Sequence, residues 1–445
     1  MKTTAPQLTQ TMAVYKETIQ GLDNLDLTNV KPTKKSITRL IRLVERIPDA
    51  RLANKITYPL SEIIIIAFIA TLAGFEGWTE MALYGEENIS WLKKFLPLKN
   101  GIPSSDTFKR VFSLINPKML ELTTVKFLTD YMDRIQHTLE ETNQEDPKSI
   151  SLICVDGKEE RGTGRYSGTE KKIPNIQTLH ILDASNEICL YSELIEKKTN
   201  EIPTAQRILQ SIQLRNTIVT FDAMNTQKKT IACIVEGKGD YIGALKGNHS
   251  TMHTEIKEYF TDKKKAEIKK RGTKFHQTIE KAHSQVETRS YYLTNSIGWF
   301  EDLEDWAKLK GFLCYEKEIY NTITGKTSIE CRYYIVSLTD VHICAQAVRG
   351  HWAVENKLHW HLDVSMNQDA QTTMDRNAFA NLSLMNKMAL SFLKLAKPII
   401  KKGKLSIKTL RKFFMGHTEE YLTTVLTTLD EEHLTEALLP AKKKG

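Results

Sequence analysis

Three carboxylates in this 445-residue chain stand where acidic side chains could act together. Asp156 closes the apolar, β-prone run 149–155 and is followed by Gly157; Asp222 closes a second such run, 217–221. Functional groups of open α/β sheets collect at the carboxyl ends of strands, so two buried strands that each end in Asp offer two acids to one site. The third acid is Glu355, in the segment Arg349-Gly350-His351-Trp352-Ala353-Val354-Glu355-Asn356-Lys357-Leu358-His359-Trp360. On a helix, the four-residue spacing puts His351, Glu355 and His359 on one face. Carboxylates packed together repel, and their pKa values rise until some are neutral. Two divalent cations roughly 3.5–4 Å apart relieve that repulsion and serve both oxygens of an in-line phosphoryl displacement. Hard oxygen ligands suit magnesium. Taken singly, each acid has a plainer reading: Asp-Gly is a common turn, and Glu355 could be a solvated helix residue or a partner for Arg349. Spacing alone leaves nuclease, phosphatase and glycosidase chemistry open. His351, His359 and His361 argue little for zinc, because no cysteine accompanies them and no CxxC occurs.

The elements that must position these acids show as changes of texture along the chain. Residues 1–36 are rich in Thr, Gln and Lys without a period and are predicted to form a loose arm. From 36 to 132 the pattern is helical. The apolar run 63–74 is shorter than the roughly 20 residues a bilayer requires, so it reads as a buried core helix, starting near Ser61 after Pro59. Ser104 or Ser105 is placed to cap the next helix. A stretch rich in Glu, Asn and Asp at 140–146, before Pro147, marks a boundary. Strands then follow at 149–155, 176–182 and 187–194, a helix at 203–214, a strand at 217–221, a helix at 227–235 and a strand at 240–245. That order predicts an α/β domain with a mixed sheet. A lysine-rich helical piece at 252–270 and a strand at 285–293 come next. Runs 316–320 and 328–334 flank Thr324-Gly325 as a hairpin, and the chain is helical from about 341. A basic cluster in the tail, Lys401, Lys402, Lys404, Lys408, Arg411 and Lys412, reads as a solvated face or a DNA-backbone contact.

Composition narrows the partners. Lys and Arg number 62 against 54 Asp and Glu, a net charge of +8, which favours a polyanion over a basic substrate. With 41% hydrophobic and 26% charged residues, the chain is neither disordered nor a membrane protein by composition. Six scattered cysteines and no secretory segment suggest reduced thiols in the cytoplasm.

Several blocks resemble one known family. They are Val155-Asp156-Gly157-Lys158, Lys198-Thr199-Asn200-Glu201-Ile202-Pro203, Thr220-Phe221-Asp222-Ala223-Met224-Asn225-Thr226-Gln227-Lys228, and Gly239-Asp240-Tyr241 with Ala244-Leu245-Lys246-Gly247-Asn248. The segment from Arg349 through Glu355-Asn356 to Leu362-Asp363-Val364 belongs with them, as does Gly101-Ile102-Pro103-Ser104-Ser105-Asp106-Thr107-Phe108 in the helical third. These blocks, in order over 37–400, resemble the H-repeat-associated insertion-sequence transposases, a bacterial branch of the Asp-Asp-Glu, RNase H-like superfamily.

The resemblance implies an α/β, RNase H-like mixed-sheet catalytic domain at 149–248 and 331–400, with a β-rich insertion at 249–330. An all-helical domain at 37–140 would precede it and a basic helical tail, 401–445, would follow. It implies a DNA transposase of a mobile element, cleaving and joining DNA with two Mg2+ ions, Mn2+ substituting. Asp156 would bridge both ions, and Asp222 and Glu355 would each complete one. Candidate DNA contacts are Lys158, Arg161, Lys246, Asn248, Arg349, His351, Trp352, Asn356 and His359, with Trp352 and Trp360 able to stack on a base or pack in a core. The implied partners are element ends and target DNA, bound by a homo-oligomer in the cytoplasm and away from any membrane. A stand-alone or domesticated nuclease and an inactive DNA-binding relic are the alternatives. The chain departs from the family pattern where Glu159-Glu160-Arg161-Gly162-Thr163-Gly164 follows Asp-Gly-Lys, and where His351 stands one turn before Glu355 in place of an Arg.

Overall fold

A helix with every side chain buried anchors the first third of the chain. The computed structural model describes residues 35–127, 151–166, 172–184, 187–195, 201–212, 214–282, 284–397, 400, 404–423 and 426. Residues 1–34 of the expected arm, the boundary at 140–147 and most of the tail lie outside these. Helix α1 spans Lys35–Val44, α2 Leu60–Leu72, α3 Trp78–Glu87 and α4 Ser105–Leu114. All thirteen residues of α2 are buried, as a helix apolar on all sides requires. It begins directly after Pro59, whose ring suits a helix start, and the Ser104 hydroxyl caps α4 by accepting from the Thr107 N–H.

The chain divides into two compact units, the first comprising Met1–Pro147, Glu160–Asn175 and Trp360–Gly445. Two late helices, numbered here in chain order as α10 (Arg376–Ala396) and α11 (Ile407–Gly416), therefore join the early ones. Phe392 of α10 meets Phe68 of α2 edge-on at 5.5 Å, and the buried Asn381 amide donates to the carbonyls of Phe112 and Ile115 at 2.8 and 2.9 Å. This unit includes 376–396, which the resemblance implied for the catalytic domain.

The second unit, Lys148–Glu159 and Ile176–His359, is built on one nine-stranded sheet. Its strands are β1 (Ser151–Glu160), β4 (Ile176–Asp183), β5 (Ile188–Ile195), β6 (Thr217–Phe221), β7 (Asp240–Leu245), β8 (Phe275–Ala282), β9 (Gln285–Thr294), β10 (Gly311–Asn321) and β11 (Thr327–Val336). The short strands β2 (Arg165–Tyr166) and β3 (Lys172–Ile173) form a separate pair. The order is β5-β4-β1-β6-β7-β11-β10-β9-β8, with β1, β6 and β7 parallel at the centre. The strands of the β-rich region 275–336 extend this same sheet, because β11 pairs antiparallel with β7.

Between strands lie α5 (Glu201–Ser211), α6 (Lys228–Glu236), α7 (Ser250–Tyr259), α8 (Asp262–Arg271) and α9 (Val341–Ala353). Ile153, Val155, Val219 and Phe221 pack on one sheet face with Ile208 of α5 and Ile231 of α6. Ile218, Ile242 and Val336 pack on the other with Val341, Cys344 and Val348 of α9. Helices thus cover both faces of the sheet, the mixed α/β architecture expected from the alternation of elements.

Candidate active site

The register of β1 against β6 decides where the two Asp residues go. Val155 lies beside Phe221 on adjacent parallel strands, so the next residues, Asp156 and Asp222, follow in step. Asp222 comes just past the end of β6, whereas Asp156 lies within β1, which runs on to Glu160 and not to the strand end expected there. Side chains alternate along a strand. Val155 and Phe221 face the α5–α6 side, which turns Asp156 and Asp222 to the side covered by α9.

α9 lies close to the sheet at its own carboxyl end. A Cβ on Gly350 would fall 2.1 Å from Leu152 Cδ2, and the Cys154 thiol reaches the Gly350 carbonyl at 3.6 Å. Beyond Ala353 the helix widens into a π-helical turn, Val354–His359, a distortion common at functional sites. That turn carries Glu355 and His359. The His359 Nδ1 lies 3.2 Å from Glu355 Oε2 and 3.8 Å from Asp156 Oδ2. One atom from each of Asp156, Glu355 and His359 lies within 4.8 Å of the other two, a group that fits a divalent cation.

The remaining contacts hold these groups in place. Asp156 Oδ1 accepts from the Gly157 N–H at 3.0 Å. Asp222 Oδ1 accepts twice from Asn225, from its backbone N–H at 3.0 Å and its amide Nδ2 at 3.1 Å. The same Nδ2 donates to Glu201 Oε1 at 2.9 Å, and Asn225 is fully buried. Glu201 presses against β1: a Cβ on Gly157 would sit 2.9 Å from its Oε2, so any larger residue there requires that carboxylate to shift. Asn248 donates to the Ala223 carbonyl at 2.6 Å and the His249 ring meets the Thr226 carbonyl at 2.6 Å, tying down the loop after Asp222. Behind His359, its Nε2 pairs with His180 Nδ1 of β4 at 2.9 Å.

Electrostatics follow from this crowding. Burial pushes the Asp156 carboxyl up to about 6, and the nearby Asp222 and Glu355 charges push the same way. His359 and the Gly157 N–H oppose the rise. His351 shares a hydrogen bond with Thr220 Oγ1 at 3.0 Å; burial lowers its pKa to about 4, against the opposing pull of the Asp222 charge, so it is neutral at pH 7.

The structure therefore brings Asp156, Glu355 and His359 together, with Asp222 beside Asp156. His351 is held by Thr220, two residues before Asp222, and is not one of the three residues whose ligand atoms meet. Among the other candidates, Lys158 is buried in β1, whereas Arg161, Lys246 and Asn356 are exposed. Arg349 is paired with Glu280 at 3.1 Å. Trp352 is exposed with the Arg332 guanidinium 4.6 Å above its ring, and Trp360 is half exposed against His361, so neither is a core residue. In the tail, Arg411 is buried, paired with Glu76 at 2.7 Å and donating to the carbonyls of Thr71 and Ser365, which removes it from any solvated basic face. Lys404, Lys408 and Lys412 are exposed. Sequence reasoning missed Asn225, Glu201 and His180 as site residues. Asn225 and Glu201 stand inside recognisable blocks, but His180 lies on an ordinary apolar strand with no local signal.

Comparison with known proteins bears on this arrangement as a whole. The family model described as "Transposase DDE domain" matches residues 147–392, and the one described as "DDE_Tnp_1-associated" matches 41–128. The chain is 33% identical over 403 residues to "Putative transposase YncI" of Escherichia coli O157:H7, covering 89% of this chain and 96% of that one. It is 29% identical over 365 residues to "H repeat-associated putative transposase YhhI" of Escherichia coli strain K12, covering 80% and 90%.

Proposed function

The chain belongs to the transposase DDE domain family, and from that premise we propose that it is the transposase of a bacterial insertion sequence. In this reading it binds the ends of its element, cleaves there and joins the freed ends to target DNA, with Asp156, Asp222 and Glu355 as the reacting acids. One observation carries the reading: Asp156 and Asp222 directly follow the paired residues Val155 and Phe221 of adjacent parallel strands, and a turn of the helix packed on that face brings Glu355 to Asp156. We take the sheet to be RNase H-like on the same ground.

Bound at these acids, two magnesium ions, with manganese as substitute, would activate the attacking hydroxyl and neutralise the oxygen that leaves. Asp156 would lie between the two positions, with Glu355 at one and Asp222 at the other. Asn225 holds the Asp222 carboxylate by two donors, so that its orientation is set before DNA arrives. In the first displacement water attacks the phosphorus and the P–O3′ bond breaks, leaving a 3′-hydroxyl. In the second, that hydroxyl attacks a target phosphorus and displaces its 3′-oxygen. Two element ends must be held together, so an oligomer on DNA is expected by analogy with such reactions.

Asp156→Asn, Asp222→Asn and Glu355→Gln should each reduce magnesium-dependent cleavage of an element-end duplex to background, while gel-shift binding of the same duplex stays largely intact. Full cleavage by any one variant overturns that residue's assignment. Cleaved but never joined products from the wild type would make the protein a nuclease instead.

A further inference from the structure

The acids account for the chemistry proposed above, but they do not account for His359. Its imidazole is only 4% exposed and sits on the π-helical turn, with Nδ1 turned to Asp156 and Glu355 and Nε2 turned to His180. His180 is itself completely buried on β4. The 2.9 Å separation between the two ring nitrogens requires one of them to carry the shared hydrogen.

Placing that hydrogen on His359 Nε2 makes His180 Nδ1 the acceptor. His359 Nδ1 then carries a lone pair, directed at the space where Asp156 and Glu355 also present oxygens, all three ligand atoms lying within 4.8 Å of one another. Histidines that bind metals commonly donate their other N–H to a neighbouring acceptor, which sets tautomer and ring orientation. The opposite tautomer has His180 Nδ1 donating and makes His359 Nδ1–H a donor to the carboxylates, and nitrogen coupling to a bound ion distinguishes the two.

We infer that His359 is a nitrogen ligand of the cation position shared by Asp156 and Glu355, and that His180 is the residue that positions it. The inference rests on the metal-dependent reading of this site. It adds that one of the two positions is of mixed oxygen and nitrogen character, whereas the position between Asp156 and Asp222 has oxygen ligands. Imidazole favours transition ions over magnesium, so the mixed position holds Mn2+ in preference to Mg2+.

Electron spin echo modulation of the full-length protein loaded with Mn2+ tests this without any turnover. The wild type should show 14N coupling from a directly bound imidazole, and protein grown on 15N-histidine should show the 15N pattern in an unaltered fold. His359→Gln should lose the coupling and still bind Mn2+ by calorimetry, more weakly, with a smaller loss for Mg2+. His180→Ala should lower Mn2+ affinity by about 10–100-fold and broaden the coupling. His180→Asn, which keeps an acceptor, should recover part of both. Mn2+ bound in the wild type without nitrogen coupling, or coupling that survives in His359→Gln, overturns the inference but leaves the carboxylate site standing. No Mn2+ binding at all overturns both.

Discussion

In the proposed site, Asp156 is the residue at which folding and chemistry oppose each other. Its carboxyl is pushed up to about 6, chiefly by burial and then by Asp222 and Glu355. In the unfolded chain an aspartate titrates near 3.9. A raised acid binds its proton more tightly in the folded state, so its contribution to stability is complete below about 4 and is lost as pH rises through about 6. Above that, the ionised Asp156 costs the metal-free protein on the order of 1–3 kcal/mol, a figure softened by the solvent that reaches it. Asp156→Asn removes the charge and keeps the shape. Its melting temperature without metal should therefore exceed the wild type's at pH 7.5, with the advantage fading by pH 4. Equal melting temperatures at pH 7.5 would show that the acids do not repel as this geometry requires. Loss of activity together with gained stability would mark Asp156 as a functional residue rather than a turn, which inspection of Asp-Gly alone could not decide.

At the scale of elements, the closeness of α9 to β1 sets where Glu355 and His359 arrive. A side chain at Gly350 requires Leu152 or the helix to shift, since a Cβ would meet Leu152 Cδ2 at 2.1 Å. Gly350→Ala should cost about 1–3 kcal/mol, as overpacking in a close-packed core typically does. Because the shift acts on the helix that carries the site, Mn2+ affinity should fall along with stability. A variant with wild-type stability and metal affinity would mean that Leu152 simply turns aside. The placement of Asp222 was legible in the sequence, since an apolar run stops there and β6 ends at Phe221. The run that stops at Asp156 was legible too, but the strand carries on past it to Glu160, because the pairing of a strand is not set by its apolar residues alone. Glu355 was legible through its motif. Local periodicity could not supply the change from α to π geometry after Ala353. Nor could it supply His180, which approaches His359 across 179 positions of chain. The role of Asn225 is a middle case: three residues after an Asp it is well placed to donate to it, but its bond to Glu201 depends on where α5 packs.

At the scale of the whole molecule, the two ends of the described chain build one helical unit. Helix α10 gives that unit Phe379, Leu382, Met385, Leu390, Phe392 and Leu393, all nearly or wholly buried. Each such side chain contributes roughly 1.5–3 kcal/mol by burial, so together they supply on the order of 10 kcal/mol. That is as large as the entire stability of an ordinary domain. A chain ending at residue 375 should therefore fail to fold its helical unit: residues 35–127 should become protease-sensitive and the cooperative helical melt should disappear from circular dichroism. A truncated chain that keeps both would show that α1–α4 are self-sufficient and that α10 merely decorates them. The same packing bears on how the basic tail is tested for DNA binding. Deleting it removes Arg411, whose guanidinium joins Glu76 to the Thr71 carbonyl inside the unit, and so would lower any measured DNA binding through unfolding, whatever the tail does. Neutralising the exposed Lys404, Lys408 and Lys412 separates the two causes, since surface charges of this kind contribute little to stability while each phosphate contact adds to the salt dependence of DNA binding.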